Sequence, residues 1–193
     1  MGALESCTWK SSFIQLANRT SKWAITGLAT GFLLYRQNDP ASMWAITGAL
    51  ANGATSKLLK QCINQQRPIA AANHARLDPG MPSSHAQSLA YLSTYATIEI
   101  AGWSGVNPVL SLALRAIVLS TAAYLAHLRI SMGFHTSAQV AVGSVIGSSS
   151  AVIWNWIWKA IVEQHAVNLP WMSKAGWMAL FVAGSLALAR ESK

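Results

Sequence analysis

Two stretches of this chain gather residue types that together could handle a phosphate ester. The first reads Lys60-Gln-Cys-Ile-Asn-Gln-Gln-Arg67-Pro68 and continues, further on, as Asp78-Pro-Gly-Met-Pro82-Ser83-Ser84-His85. The second reads Arg129-Ile-Ser-Met-Gly-Phe-His135-Thr-Ser-Ala-Gln139. Three cations and two imidazoles, with hardly a carboxylate among them, suit an anion of phosphate geometry. Arginine offers a planar fork for bidentate contacts and lysine a point charge. Ser83, Ser84 and His85 stand where an apolar run begins, so backbone N–H groups at a helix start would add donors. Two histidines suit a two-step displacement. One attacks phosphorus and forms a phosphohistidine, and the other protonates the departing oxygen and then activates water. The cations would stabilise charge on the equatorial oxygens in the transition state. Six acidic residues in the whole chain (Glu5, Asp39, Asp78, Glu99, Glu163 and Glu191) form no cluster. An oxygen-ligand metal site therefore lacks raw material, and no metal or cofactor is expected.

Residues 80 positions apart must be brought together by the elements that carry them. In a chain of 193 residues, 52% are hydrophobic and only 10% charged, and the mean hydropathy is +0.32. Soluble domains carry about 25% charged residues, so a water-facing surface is poorly supplied here. Disorder, collagen and coiled-coil classes are excluded by the same composition. Six apolar stretches follow one another, at about 23–35, 41–59, 84–101, 109–128, 136–161 and 175–190. They predict an all-α integral membrane bundle of about six transmembrane helices over 23–193, preceded by a polar N-terminal segment, 1–22. Arg115 and Glu99 fall inside or near the end of two stretches, which predicts either that they snorkel to the interface or that the boundaries shift by a turn. Trp23, Trp44, Trp103, Trp171 and Trp177 lie near stretch ends, as an aromatic belt requires. Trp154, Trp156 and Trp158 cannot all share one helical face, so part of that cluster is expected at the headgroups. Gly27-x-x-x-Gly31 and Gly143-x-x-x-Gly147 provide small faces for close helix packing.

The net charge of +8 is spread among the apolar runs instead of forming a dense block, which argues against nucleic acid as a partner. With six spans, both ends and the 60–83 and 129–135 connections share one side. Ten cations fall there (Lys10, Arg19, Lys22, Lys57, Lys60, Arg67, Arg76, Arg129, Arg190 and Lys193) against Arg36, Lys159 and Lys174 opposite. That bias predicts the termini on the cytoplasmic or equivalent side. Cys7 and Cys62 are too few for a disulfide framework. Met-Gly-Ala-Leu-Glu-Ser fits the loose myristoylation pattern at Gly2, although an ordinary initiator segment is the favoured reading. His74, His127 and His165 are read as structural, Gln87 and Ser88 as helix packing, and Asp78 as a partner for Arg76 or a site cation.

Lys-x6-Arg-Pro, then Pro-Ser-x-His, then Arg-x5-His resembles the three-part signature of the type 2 phosphatidic acid phosphatase superfamily. That superfamily includes vanadium haloperoxidases and has a six-helix core. The wording around Asp-Pro-Gly-Met-Pro-Ser-Ser-His-Ala-Gln and Leu-Arg-Ile-Ser…His-Thr-Ser-Ala-Gln-Val is most similar to plant lipid phosphate phosphatases of the epsilon type, found in chloroplasts. It is also similar to dolichyl-diphosphate phosphatases. The resemblance implies His135 as the nucleophile and His85 as the general acid. Lys60, Arg67 and Arg129 would bind phosphate, with Ser83 and the Ser84 amide assisting. Ser84 stands where the pattern has Gly, Leu128 where a Ser often precedes the Arg, and Gln139 where an Asp orients the nucleophilic His. Gln139 lies one turn beyond His135 and could accept its ring N–H, but it brings no negative charge to an imidazolium.

These readings converge on a membrane-embedded, metal-independent lipid phosphate phosphatase acting at the bilayer interface. Phosphatidic acid is the leading substrate, and a prenyl or polyprenyl diphosphate is the rival. A non-catalytic lipid-phosphate scaffold is the lesser alternative, resting on Gln139 alone. The resemblance implies a multi-pass protein of a chloroplast membrane, with the endoplasmic reticulum as the other location. Nothing in the sequence specifies an oligomeric state.

Overall fold

The computed structural model describes residues 39–68 and 79–166. Four long helices account for most of them: α1 (Pro40–Ile63), α2 (Ser84–Ala101), α3 (Pro108–Ser131) and α4 (Ser137–Ile157). One π-type turn (Trp158–Val162) and a single turn, α5 (Glu163–Ala166), continue α4. Among the described residues there is no strand. The chain divides into a unit ending at Met43 and a unit running from Trp44 onward. In the first, the Asp39 carboxylate accepts Ala41 N–H and the Ser42 hydroxyl, starting α1 ahead of Pro40. The second holds the packing and the site described below.

Local chemistry explains where the helices begin and end. Ser83, Asn107 and Thr136 cap α2, α3 and α4 through their side-chain oxygens, and Pro108 occupies the first turn of α3, where its missing N–H costs nothing. Asn64 adopts a left-handed φ of 45° and donates its N–H to Lys60 O at 2.9 Å, which closes α1. Gly133, at φ 71°, turns the chain after α3. Phe134 and His135 then both donate backbone N–H to Arg129 O, at 3.1 and 3.2 Å.

The helices match four of the six expected apolar stretches. The other two, 23–35 and 175–190, lie outside the described residues, as do the 1–22 segment, Gly27, Gly31, His74, Arg76 and Asp78. Among the described residues, two helices are long and apolar enough to cross a membrane by length and composition, Pro108–Ser131 and Ser137–Val162. Six spans are therefore not established. The α1 and α2 helices miss that mark because polar residues interrupt them, and these face inward: Asn52, Ser56, Gln87 and Ser93 are buried. Leu110, Leu112, Ile117, Val145 and Ile153 are exposed instead. Buried amides beneath an apolar exterior suit a chain whose solvent is lipid.

The α2 and α4 helices run parallel along a tight seam. A Cβ on Gly143 would lie 2.7 Å from Ser83 O, and one on Gly147 would lie 2.9 Å from the carbonyl carbon of Gln87. Small residues are thus required where the two backbones nearly touch, as the Gly-x-x-x-Gly spacing suggests. Along the same seam Thr94 donates to Ser148 Oγ at 3.1 Å, and Asn155 Nδ2 donates to Glu99 Oε1 at 2.9 Å. Glu99 therefore has an interhelical partner, which neither snorkelling nor a shifted span boundary had anticipated. The α1 helix lies antiparallel to α2: Gln87 Nε2 donates to Asn52 O and Oδ1, and the Ser56 hydroxyl donates to Ser84 Oγ at 2.8 Å. At the far end Trp44 and Trp154 stack at 4.6 Å and exchange indole N–H bonds with each other's carbonyls. Trp158 is buried near them while Trp156 is exposed, so the three alternating tryptophans do divide between two faces.

Candidate active site

Alternating helix direction brings the end of α1, the start of α2, the end of α3 and the start of α4 to one end of the second unit. Lys60 and Arg129 sit in the last turns of α1 and α3. The sequence reading placed both in the connections, because it cut each helix where polarity begins. A cation in the last turn complements the exposed carbonyls and the helix dipole, so the helix runs on through it. Lys60, Arg129 and His135 are all buried. His85, half-buried, is the second residue of α2.

His135 is held on both edges. Arg67 Nη1 stands 3.3 Å from its Nε2 and also donates to Phe134 O at 3.4 Å. Gln139 Oε1 stands 3.2 Å from its Nδ1. The direction of that amide follows from backbone groups whose roles are unambiguous. Thr136 N–H can only donate, and it meets Gln139 Oε1 at 3.2 Å. Gln66 O can only accept, and it meets Gln139 Nε2 at 3.0 Å. The oxygen of Gln139 therefore faces the ring, Nδ1 carries the hydrogen, and Nε2 of the neutral ring keeps its lone pair toward Arg67. Burial first, and then the positive charges of Arg67, Arg129 and Lys60, push the imidazole down to about 4, opposed by the bond to Gln139. At neutral pH the ring is uncharged, and its Nε2 lone pair is engaged by Arg67. The Arg129 guanidinium meanwhile lies 4.5 Å from the centre of the Phe134 ring, which fixes it beside the same loop.

The structure thus brings Lys60, Arg67, Arg129, His135 and Gln139 into one neighbourhood. Ser83 has local duties in place of an open hydroxyl. It is fully buried, its Oγ accepts Ala86 N–H, and its own N–H donates to Gln139 O at 3.1 Å. The Ser84 side chain is bonded to Ser56, while its backbone N–H, at the first helical position, has no intrahelical acceptor. Gln87 bridges α1 and α2, Ser88 is exposed, and His127 is exposed on α3. Among the described residues no three His, Cys, Asp or Glu side chains are grouped as metal ligands.

Three features escaped the sequence reading. Thr136 and Gln139 form a capping box at the start of α4, a Thr-x-x-Gln pattern that was legible. Gln65 accepts from Gln139 Nε2 at 3.0 Å, for which the sequence carried no signal beyond its place inside Lys-x6-Arg. Gly80 fits where a Cβ would lie 2.7 Å from Gln139 Nε2 and 3.1 Å from Arg67 Cγ.

A helical bundle that collects a buried histidine and three cations at one end offers a site for an anion of phosphate geometry. Residues 41–162 match the PAP2 superfamily, and the chain belongs to it. It is 40% identical over 149 residues to lipid phosphate phosphatase epsilon 1, chloroplastic, of Arabidopsis thaliana, covering 77% of this chain and 52% of that one. It is 42% identical over 147 residues to the epsilon 2 protein of the same plant, covering 76% and 50%. A weaker likeness, 28% over 136 residues, covers 68% of this chain and 56% of dolichyldiphosphatase 1 of Dictyostelium discoideum. The chain spans about half the length of the curated relatives it matches. No solved structure matches it significantly.

Proposed function

We propose that this chain is a multi-pass membrane phosphatase that hydrolyses phosphatidic acid through a phosphohistidine on His135. The observation that carries the reading is the state of that ring: neutral, with Nδ1–H on Gln139 and the Nε2 lone pair directed at Arg67. In the resting site the guanidinium covers Nε2. A substrate phosphate takes over that donor, with Lys60 and Arg129 as further counter-charges, and frees the lone pair. Nε2 then bonds to phosphorus as the bond to the glycerol oxygen breaks, and His85 gives that oxygen its proton. His85 next takes a proton from water, whose oxygen attacks phosphorus. The P–N bond breaks, and its electron pair returns to Nε2. Backbone N–H groups at the start of α2, that of Ser84 first, assist in holding the phosphoryl oxygens.

The names of the epsilon relatives support a lipid phosphate as substrate, and their chloroplastic designation supports a plastid membrane. The likeness to dolichyldiphosphatase 1 keeps a prenyl diphosphate as the second reading. The test is phosphate release in detergent with excess chelator, offering phosphatidic acid and a prenyl diphosphate side by side. Wild type should prefer phosphatidic acid, and His135→Ala should abolish release. Undiminished release by His135→Ala would sink the mechanism. Binding of lipid phosphate with no release would favour a scaffold.

A further inference from the structure

We propose that Gln65 is a positioning residue for the reaction, acting through Gln139 to hold His135 in its nucleophilic tautomer; the inference rests on the functional reading above. One short segment after α1 reaches both edges of the imidazole. On the Nε2 edge it places Arg67 at 3.3 Å. On the Nδ1 edge it acts at one remove, for the Gln139 amide nitrogen donates to Gln65 Oε1 and to Gln66 O, each at 3.0 Å. Those two acceptors use both amide hydrogens, so the amide oxygen is left to face His135 Nδ1 and Thr136 N–H. The Gln65 backbone is anchored in turn, its carbonyl accepting Gly80 N–H at 2.6 Å. Gln139 is almost wholly buried while Gln65 is exposed, so the contact links the buried amide to the outer side of the site.

A carboxylate orients a histidine whichever oxygen faces it. An amide does so only with its oxygen inward, and with its nitrogen inward it would stabilise the opposite tautomer, protonated on Nε2 and unable to attack. A site that uses Gln139 therefore needs acceptors behind the amide nitrogen. The Gln66 carbonyl supplies one as backbone, and Gln65 supplies the other as a side chain open to substitution.

The experiment compares Gln65→Leu, which removes the acceptor, with Gln65→Glu, which keeps one. Each variant of the full chain is purified in detergent with 15N-labelled histidine. Gln65→Leu should lower kcat about threefold to tenfold with KM within about twofold of wild type, the effect of one lost hydrogen bond. The His135 ring nitrogen shifts should move from pure Nδ1–H toward a mixture of tautomers. Gln65→Glu should restore both. The proposal is overturned if Gln65→Leu matches wild type in kcat and ring shifts, or if Gln65→Glu is as defective as Gln65→Leu. If wild type releases no phosphate from any lipid phosphate, the functional reading falls, and the ring shifts alone still judge the role of Gln65.

Discussion

Gly143→Ala tests whether the seam between α2 and α4 sets the geometry of the site. The added methyl would lie 2.7 Å from Ser83 O, 3.3 Å from Ser83 N and 3.4 Å from Gln87 N. Ordinary carbon–oxygen contact begins at about 3.3 Å, so the two backbones must part by about 0.6 Å. Ser83 caps α2 two residues before His85, and it bonds Gln139 O from the helix that follows His135. The displacement therefore separates the two histidine-bearing helix starts. Misplacement of reacting groups by 1 Å costs about a hundredfold, and 0.6 Å then predicts a loss of about tenfold in kcat. Gly147→Ala meets the Gln87 carbonyl more severely, with its carbon at 2.9 Å and its oxygen nearer still, and should lower the thermal midpoint as well. Gly53→Ala is the control, because nothing lies within 4 Å of its added methyl and alanine is the better helix former by roughly 0.5–1 kcal/mol. Steady-state phosphate release and thermal unfolding in detergent give both readouts. A Gly143→Ala enzyme with wild-type kcat would refute the claim that close backbone approach positions the site.

Four further outcomes follow from particular contacts. With the His135 ring near 4 in the free protein, the acid limb of kcat/KM should lie close to that pH, and Arg67→Gln should move the limb of its residual activity upward because the guanidinium holds the ring down. The same group has a sign for stability: the unfolded ring binds a proton below about 6.5, and the native ring resists until about 4. Its contribution therefore grows as pH rises through that window and is lost as pH falls through it, which pH-dependent unfolding checks. Gly80→Ala should lower kcat by displacing the Gln139 amide while leaving overall unfolding near wild type, since the clash is confined to Gln139 and Arg67. Asn155→Leu removes the donor to Glu99 and should cost about 1–3 kcal/mol in unfolding free energy, whereas Glu99→Gln, which keeps a carbonyl acceptor, should cost less.

Motif spacing was readable because helix ends translate it into position. Arg-x5-His works since Arg129 closes α3, Gly133 reverses the chain, and His135 N–H returns to the Arg129 carbonyl. Helix ranges were readable for 41–59, 84–101, 109–128 and 136–161, where apolar content marks them. Their ends were not, because hydropathy stops at the first polar residue while a helix stops where the backbone finds another partner. Lys60 shows the difference, three residues inside an α1 that ends only at left-handed Asn64. Glu99 and Gln65 were misread or missed for one reason: their partners, Asn155 and Gln139, are 56 and 74 residues away, and nothing local announces such a contact.

Of the three departures from the phosphatase signature, Gln139 bears most on the chemistry, since a neutral side chain stands where the pattern has a charged one. Its surroundings give the neutral side chain a physical rationale. It completes the capping box of α4 with Thr136, and its backbone oxygen takes the Ser83 N–H that starts α2. Its amide nitrogen faces two acceptors, one of them the Gln66 carbonyl, which cannot reverse. A carboxylate in this pose would turn its second oxygen toward that carbonyl, and a buried acceptor pair with no hydrogen between them is costly. The amide satisfies all of these groups at once and still fixes the tautomer. What it forgoes is stabilisation of a positive ring. Under the proposed mechanism that loss would matter least, because the ring would become cationic only on bonding to a dianionic phosphoryl group, which brings the compensating charge with it.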